Sequence, residues 1–417
     1  MIRAWIIWVL SSLFMCYKYA IEVSPSVMAK ALMQEFSLSA TEMGNFAACY
    51  FYAYLLLQIP AGLLIDRWGP RLVTTLAISL CAVGAYLFAL ADTAFVADIG
   101  RFVSGVGAAF AAVNCLKLIA NWFPARKFAL MAGLMMTIGM LGAMGGQAPL
   151  ALLLSRLGWR DSMVTVATIG LILAVLFFLV VRNRANGHKP IDLTPKKQSM
   201  FKSLQKVLRN PQAWYLSLYS GFAFSPVMAF GGLWGVPFLR EAYGFSHHLA
   251  AQGTTLIFLG FACGAPLFGW LSDRIGKRRP VMFWGTLAAA ICLIAVIYFP
   301  LIGNLCFLFL FLFGFSISTF LLCFTMIKES FPIYLAATSI GFMNAFDALC
   351  GAVSDPLTGK ILDFWWAGAT IEGVRTFPLF AYHYSFLILV AYFVLALIFL
   401  KPIRETHCKH IYPAGMP

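Results

Sequence analysis

Of 417 residues, 61% are apolar and only 11% carry charge, whereas a soluble domain has roughly 45–50% and about 25%. A bilayer therefore has to be the solvent, and a sizeable soluble domain is excluded. The net charge of +14 would suit nucleic acid, but 39 Phe and a mean hydropathy of +0.85 leave no room for a soluble basic domain, so the charge reports topology instead.

One spanning helix takes roughly 20 apolar residues. Apolar windows predict twelve spans in chain order, at 4–28, 43–64, 72–91, 98–121, 128–154, 162–181, 212–238, 249–271, 280–299, 304–327, 334–362 and 379–400. The first is read as a retained helix rather than a cleaved leader, because no A-x-A site follows it and Lys18 and Glu22 lie within it. The one long polar stretch, Arg182 to Pro211, carries Arg184, Lys189, Lys196, Lys197, Lys202, Lys206 and Arg209. It divides the chain into a six-helix bundle at 1–182, a cytoplasmic linker at 183–211, and a second six-helix bundle with a short cytoplasmic tail at 212–417.

With both ends and the linker in the cytoplasm, that side holds 21 Lys and Arg, against six on the other, namely Lys30, Arg156, Arg160, Arg240, Lys360 and Arg375. Lys18, Arg101 and Lys117 stay inside spans. Such an imbalance orients a membrane protein by the positive-inside rule. Nine of the ten cysteines sit in apolar segments without a C-x-x-C pair or metal-ligand spacing, and read as reduced packing residues.

The chain also repeats itself. The loop after span 2 reads GLLIDRWGPR from Gly62 to Arg71, and the loop after span 8 reads GWLSDRIGKRR from Gly269 to Arg279, with Asp66 and Asp273 standing 207 residues apart. Pro124 and Pro332, each ahead of a glycine-bearing helix, are 208 apart, as are Gly133 and Gly341; Phe36 and Phe245 are 209 apart. A parallel duplication of six spans follows, a plan known among secondary transporters.

The spacing GxxxDRxGxR formed by Gly62, Asp66, Arg67, Gly69 and Arg71 resembles the signature loop of the major facilitator superfamily (MFS), and the second copy is equally complete. The run RFVSGVGAA from Arg101 to Ala109 is similar to that superfamily's fourth-helix motif, with Ser104 where a polar amide is common. The resemblance implies an all-α membrane protein of the MFS fold, with 12 transmembrane helices in two six-helix halves related by a pseudo-twofold, and a pathway lined by helices 1, 4, 7 and 10. It further implies gating by the loops: Asp66 and Asp273, flanked by Arg67, Arg71 and Arg274, would each hold the start of a helix in the other half. Physically, Pro124 and Pro332 are placed to open helices 5 and 11, whose starts carry partial positive charge. A tight basic turn kept only for topology is the alternative.

Ionisable residues at mid-span cost roughly 2.5–3.5 kcal/mol on insertion scales, so each suggests function or a buried partner. Lys18 and Glu22, four apart, share a helical face, as do Asn114 with Lys117 and Asn344 with Asp347, three apart. Lys18, Glu22, Asn114 and Lys117, in helices that line the pathway of the resembling superfamily, could meet a solute bearing a carboxylate, an ammonium or both, and Asn344 is a further candidate to bind it. The plainer reading is that Lys18 and Glu22 neutralise each other, which leaves Lys117 to meet an anionic group of the solute. Tyr17, Tyr19, Tyr50, Tyr54, Phe222, Phe224 and Trp234 are placed to wall a cavity, or simply to pack. Proton coupling needs a carboxylate that can change charge, and Glu22 is the first candidate and Asp347 the second. Asp355, ahead of Pro356, serves either packing or a kink. Arg101, near the outer end of helix 4, reads as a structural, coupling or gating residue.

His247 and His248 and the run His407, Cys408, Lys409, His410 read as surface polar residues. No nucleophile and base set, phosphate loop or metal cluster stands out, so no catalytic residue, metal or cofactor is expected. The function expected is uptake of a small polar metabolite such as an amino acid, short peptide or organic anion, with protons as the coupling ion, by a monomer in the cell inner membrane. NWFPARK from Asn121 and GAVSDPLTGKILD from Gly351 are similar to uptake branches that include phagosomal nutrient transporters of intracellular bacteria. Gln147 after Gly146, in place of the Gly-Pro step of drug and proton antiporters, favours uptake. An exporter of drugs or siderophores and a facilitative uniporter are the alternatives; a sensor or an enzyme lacks the output segment or the reactive set.

Overall fold

The computed structural model describes residues 2–123, 125–183, 200–332, 335–371 and 373–409; within these the side chains at 59, 62, 63, 66, 67, 125–129, 200–202, 337 and 371 are not described. The chain runs as twelve spans. In the first half these are α1 (Ile2–Val23 and Pro25–Glu35), α2 (Ala40–Trp68), α3 (Pro70–Ala89), α4 (Ala94–Ala108 and Ala111–Trp122), α5 (from Ala125) and α6 (to Val180). In the second they are α7 (Pro211–Tyr243), α8 (His247–Ile275), α9 (Arg279–Tyr298), α10 (Gly303–Glu329), α11 (Ala336–Phe364) and α12 (Leu379–Ser385 and Leu387–Leu400).

The boundary between α5 and α6 is set by one residue. Gly158 takes φ 78° and ψ 172°, a conformation open to glycine alone without strain, so residues 148–157 finish α5 and 159–180 form α6. Arg160 ties this corner down, donating to the carbonyls of Ala89 at 3.1 Å and Ala91 at 2.7 Å and pairing with Glu35 at 2.9 Å.

Twelve spans in strict alternation put the chain ends and the linker on one face, here the terminal face, and the loops after α1, α3, α5, α7, α9 and α11 on the opposite, distal face. On α6 the side chains of Ile169, Ile172, Val175, Leu176 and Leu179 remain exposed at helical spacing. Such a stripe, uncovered by any neighbour within the chain, is what lipid would cover.

α1, α4, α7 and α10 are all interrupted near their middles. α1 breaks at Ser24, with Pro25 opening its second segment, because proline suits a first turn and cannot continue an interior one. α4 breaks at Ala109–Phe110. α7 follows Pro226 with a π-helical stretch, Val227–Trp234. In α10 the stretch Ser318–Leu321 tightens to a 3-10 helix, where Ser318 and Thr319 return their hydroxyls to Phe315 and Ser316 carbonyls at 2.7 and 2.9 Å. The apolar windows at 4–28, 98–121, 212–238 and 304–327 show none of these breaks, because hydropathy is blind to backbone geometry.

The halves meet along α2 against α11 and α5 against α8. Glycine allows this closeness: a Cβ at Gly44 would collide with the Asp355–Pro356 backbone across the junction, and within the first half one at Gly142 would collide with the Cys16 backbone of α1. One sequence expectation needs adjustment. α11 begins at Ala336, so Pro332 stands ahead of its first turn and accepts from Leu335 N at 2.8 Å; Pro124 lies outside the described residues. Met200–Leu208, between Arg182 and Pro211, is helical. The otherwise helical chain carries a two-residue hairpin, Thr370–Ile371 with Val374–Arg375, on the distal face.

Candidate functional site

The site is built where the interrupted helices converge. A cavity between the halves, with an empty volume of about 790 Å³ including its open mouth, is lined by Met15, Lys18, Tyr19 and Glu22 of α1, Phe51 and Tyr54 of α2, Ala111 and Ala112 at the break of α4, and Met136 and Met140 of α5. The second half contributes Phe224 of α7, Phe261 of α8, Phe320, Leu321 and Phe324 at the break of α10, and Asn344, Asp347 and Ala348 of α11. Broken helices beside such a cavity are the membrane counterpart of a ligand-binding loop.

On the α1 wall, Lys18 and Glu22 form an ion pair with side chains only 6% and 4% exposed. The ammonium of Lys18 also lies 3.8 Å from the ring centre of Tyr19 and 5.0 Å from that of Tyr54, so aromatic faces share the charge. The break that follows strands the last carbonyls of the first α1 segment. Arg101, fully buried, donates to Ile21 O at 2.7 Å and Glu22 O at 3.3 Å, a cation at a helix C-terminus. Its guanidinium rests 5.0 Å from the ring centre of Tyr50.

On the α11 wall, Asp347 accepts the hydroxyl of Ser220 at 2.6 Å. Phe224 stacks on Phe320 with centres 4.7 Å apart, and Phe261 and Phe324 join them at 5.7 and 6.0 Å from Phe320. The result is an apolar cage beside one carboxylate.

Above the cavity, in the distal half, hydrogen bonds join the two bundles. Gln147 donates to Gly231 O at 2.9 Å and accepts from Thr254 at 2.8 Å, while Ala148 N donates to Thr255 at 3.2 Å. At the distal surface Asp363 of α11 accepts from Ala40 N, Thr41 N and Thr41 Oγ1 at 3.1, 2.7 and 2.6 Å. Trp234 donates to Asp355 O at 3.3 Å in the same region.

The structure thus gathers Lys18, Glu22, Tyr54, Asn344 and Asp347 around one space, with Tyr19 and Phe224. Other residues singled out from sequence lie elsewhere. Tyr17 packs against Gly170 of α6, Tyr50 sits under Arg101, and Phe222 stacks on Phe399 and Tyr392 of α12. Trp234 bonds within the second half, to Asp355 O. Asn114 is fully buried, and Lys117 half-buried, on the second segment of α4, neither among the lining residues. Ser220 and the phenylalanines of α8 and α10 escaped sequence reasoning, because 39 Phe give no contrast and a lone serine no signal.

At the terminal face the loops are ordered within each half. Arg71 donates twice to Phe178 O, at 3.0 and 2.7 Å. Asp273 pairs with Arg278 at 3.2 Å, and Arg278 forks onto Glu329 at 2.9 and 2.7 Å; Arg274 lies over the Trp270 ring at 5.3 Å. Pro124 and the side chains of Asp66, Arg67 and residues 125–129 lie outside what is described.

Comparison with known proteins agrees with this geometry. The chain is 23% identical over 84% of its length to the probable sulfoacetate transporter SauU of Cupriavidus necator, spanning 86% of that protein. It is 24% identical over 85% of its length to the lysosomal dipeptide transporter MFSD1 of Danio rerio, spanning 80% of it. With the uncharacterized transporter YybO of Bacillus subtilis, 26% identical, the match covers 65% of this chain and 66% of the relative. In fold, the chain superposes on the crystal structure of a bacterial homologue of the human lysosomal transporter Spinster, in an inward-facing, unoccupied conformation, with a TM-score of 0.78, 18% identity and 96% of each chain covered. The family model described as Major Facilitator Superfamily matches residues 8–236 and 227–413, and the chain, with its two six-helix halves around a central cavity, belongs to that superfamily of membrane transporters.

Proposed function

We propose that this protein is a proton-coupled secondary transporter that imports a small polar metabolite by alternating access, as a monomer in the cell inner membrane with both termini and the linker in the cytoplasm. The observation that carries this reading is the Lys18–Glu22 ion pair facing Asp347 across a cavity at the junction of the halves. Charges at that depth are costly and have their use in a solute or ion pathway. With the terminal face cytoplasmic, the distal bonds of Gln147 and Asp363 make the conformation described an inward-facing one.

Glu22 is assigned the coupling proton. Around it stand Lys18 as its ion partner, Arg101 on its carbonyl, and Tyr19 and Tyr54 about the same ammonium. Protonation of Glu22 removes the partner of Lys18 and frees that ammonium for a solute carboxylate; return of the proton to the cytoplasm restores the pair and expels the solute. Lys18 thereby takes the anion role that the sequence spacing offered to Lys117. Asp66 and Asp273 are assigned the cytoplasmic latch of the opposite, outward-facing state.

Uptake of labelled amino acids, dipeptides and carboxylates into proteoliposomes, with and without an inward proton gradient, tests the reading. Accumulation that needs the gradient supports it. Equilibration without accumulation would make the protein a uniporter, and proton-driven movement of drugs or siderophores out of the cytoplasm, seen in inverted vesicles, would make it an exporter.

A further inference from the structure

We propose that Asp347 is the specificity determinant of the cavity and that it selects solutes carrying a protonated amine on an apolar body, which sets organic anions and sugars aside. This rests on the transport reading and narrows it. Among the lining residues one cation and two carboxylates are found: Lys18, Glu22 and Asp347. Lys18 is engaged by Glu22 one helical turn away and by two aromatic faces. Among the described residues Asp347 has only the Ser220 hydroxyl on one oxygen, and no Lys or Arg lies within ion-pair distance of it.

A carboxylate offers about four acceptor sites, and an uncompensated one in a low-dielectric interior is strongly unfavourable. The missing cation arrives with the cargo. Asn344, three residues earlier on α11, lines the same wall and brings an amide to the same end of the solute.

The rest of the wall decides what the amine is attached to. Phe224, Phe261, Phe320 and Phe324, with Met15 and Met140, offer carbon surface and sulfur and almost no hydrogen-bonding groups. A polyhydroxylated solute placed there would leave its hydroxyls without partners, an unfavourable transfer for each. An aromatic or branched aliphatic group instead gains the burial, and Met lets the wall adapt to its shape.

Equilibrium binding to the purified full-length protein in nanodiscs tests this with matched probes. L-Phenylalanine, L-phenylalanyl-L-alanine and 2-phenylethylamine carry the amine; 3-phenylpropionate lacks it; D-glucuronate carries the wrong charge and body. The amine-bearing probes are expected to bind at least about tenfold more tightly than 3-phenylpropionate. Asp347→Asn is expected to erase that difference and Asp347→Glu to retain part of it, which separates recognition from a folding defect. The proposal is overturned if 3-phenylpropionate or glucuronate binds as well as phenylalanine, or if Asp347→Asn keeps the amine preference while losing only proton dependence. Transport of another solute without amine selectivity would sink the Asp347 assignment and leave the transport reading standing. Amine-selective binding with no transport of any solute would do the reverse.

Discussion

Asp363, at the distal end of α11, caps the first turn of α2 in the other half: its carboxylate takes Thr41 N at 2.7 Å and Ala40 N at 3.1 Å, and Arg375 of the distal hairpin braces it at 3.1 Å. A helix cap is usually local; this one bridges two bundles that have to separate there if the distal side is to open. Replacing a cap costs about 0.5–2 kcal/mol, so Asp363→Ala is expected to shift the conformational equilibrium toward the distally open state by roughly that amount. Spin-label distances between the distal ends of α2 and α11 should lengthen. Unchanged distances would show that the cap adds nothing to closure.

Glu22→Gln keeps the shape of the α1 wall and removes its negative charge. It is expected to abolish accumulation driven by a pH gradient while sparing exchange of solute between the two sides. Accumulation that persists in the variant would move the coupling role to Asp347.

Arg278, 5% exposed, is held by Glu329, 10% exposed, in a two-pronged ion pair. Removing one member of a buried pair costs about 3–5 kcal/mol when it strands the other, and less here because Arg278 keeps Asp273 at 3.2 Å. Glu329→Ala should lower the thermal midpoint of the purified protein by several degrees, and Glu329→Ala with Arg278→Met should recover much of it. Equal losses in both variants would mean that the charge is not what is being left unpaired.

Glu405, in the tail, receives backbone N–H groups of Arg278, Arg279, Thr406 and His407 at 3.0, 2.9, 3.0 and 3.3 Å. Burial opposes its charge, but the N–H groups, those of Arg278 and Arg279 foremost, outweigh it and hold the carboxyl below its ordinary 4.5. A depressed folded value means that the contribution is fully present above the ordinary value and fades as pH falls through the depressed one. Thermal unfolding between pH 7 and 3 should show a loss below about pH 4.5 that Glu405→Gln removes by being less stable at pH 7. Parallel curves for the two proteins would rule out this linkage.

Orientation can be checked directly. Single cysteines at Lys196 and Lys409 are expected to resist an impermeant thiol reagent in intact cells and react after lysis. Labelling in intact cells would invert the topology proposed here and the direction of the conformational assignment with it.

The sequence by itself determined the solvent, the number of spans, their duplication and their family, because each depends on composition or spacing summed over many residues: twenty apolar positions outweigh a few polar ones. It also drew attention to Lys18, Glu22, Asn344 and Asp347, since charge inside an apolar run is visible one residue at a time. Tertiary structure decided what those residues face. Tyr17 and Tyr54 differ little as letters in an aromatic-rich chain, yet one packs on Gly170 and the other lies over Lys18. Lys117 and Lys18 are both mid-span cations, but only Lys18 reaches the cavity. The breaks in α1, α4, α7 and α10 and the bond from Asp363 to Thr41, 322 residues away in the chain, depend on how helices twist and lean against partners far off in sequence. A linear pattern carries the period of a helix; which side of it meets solute, lipid or the other half is set by packing.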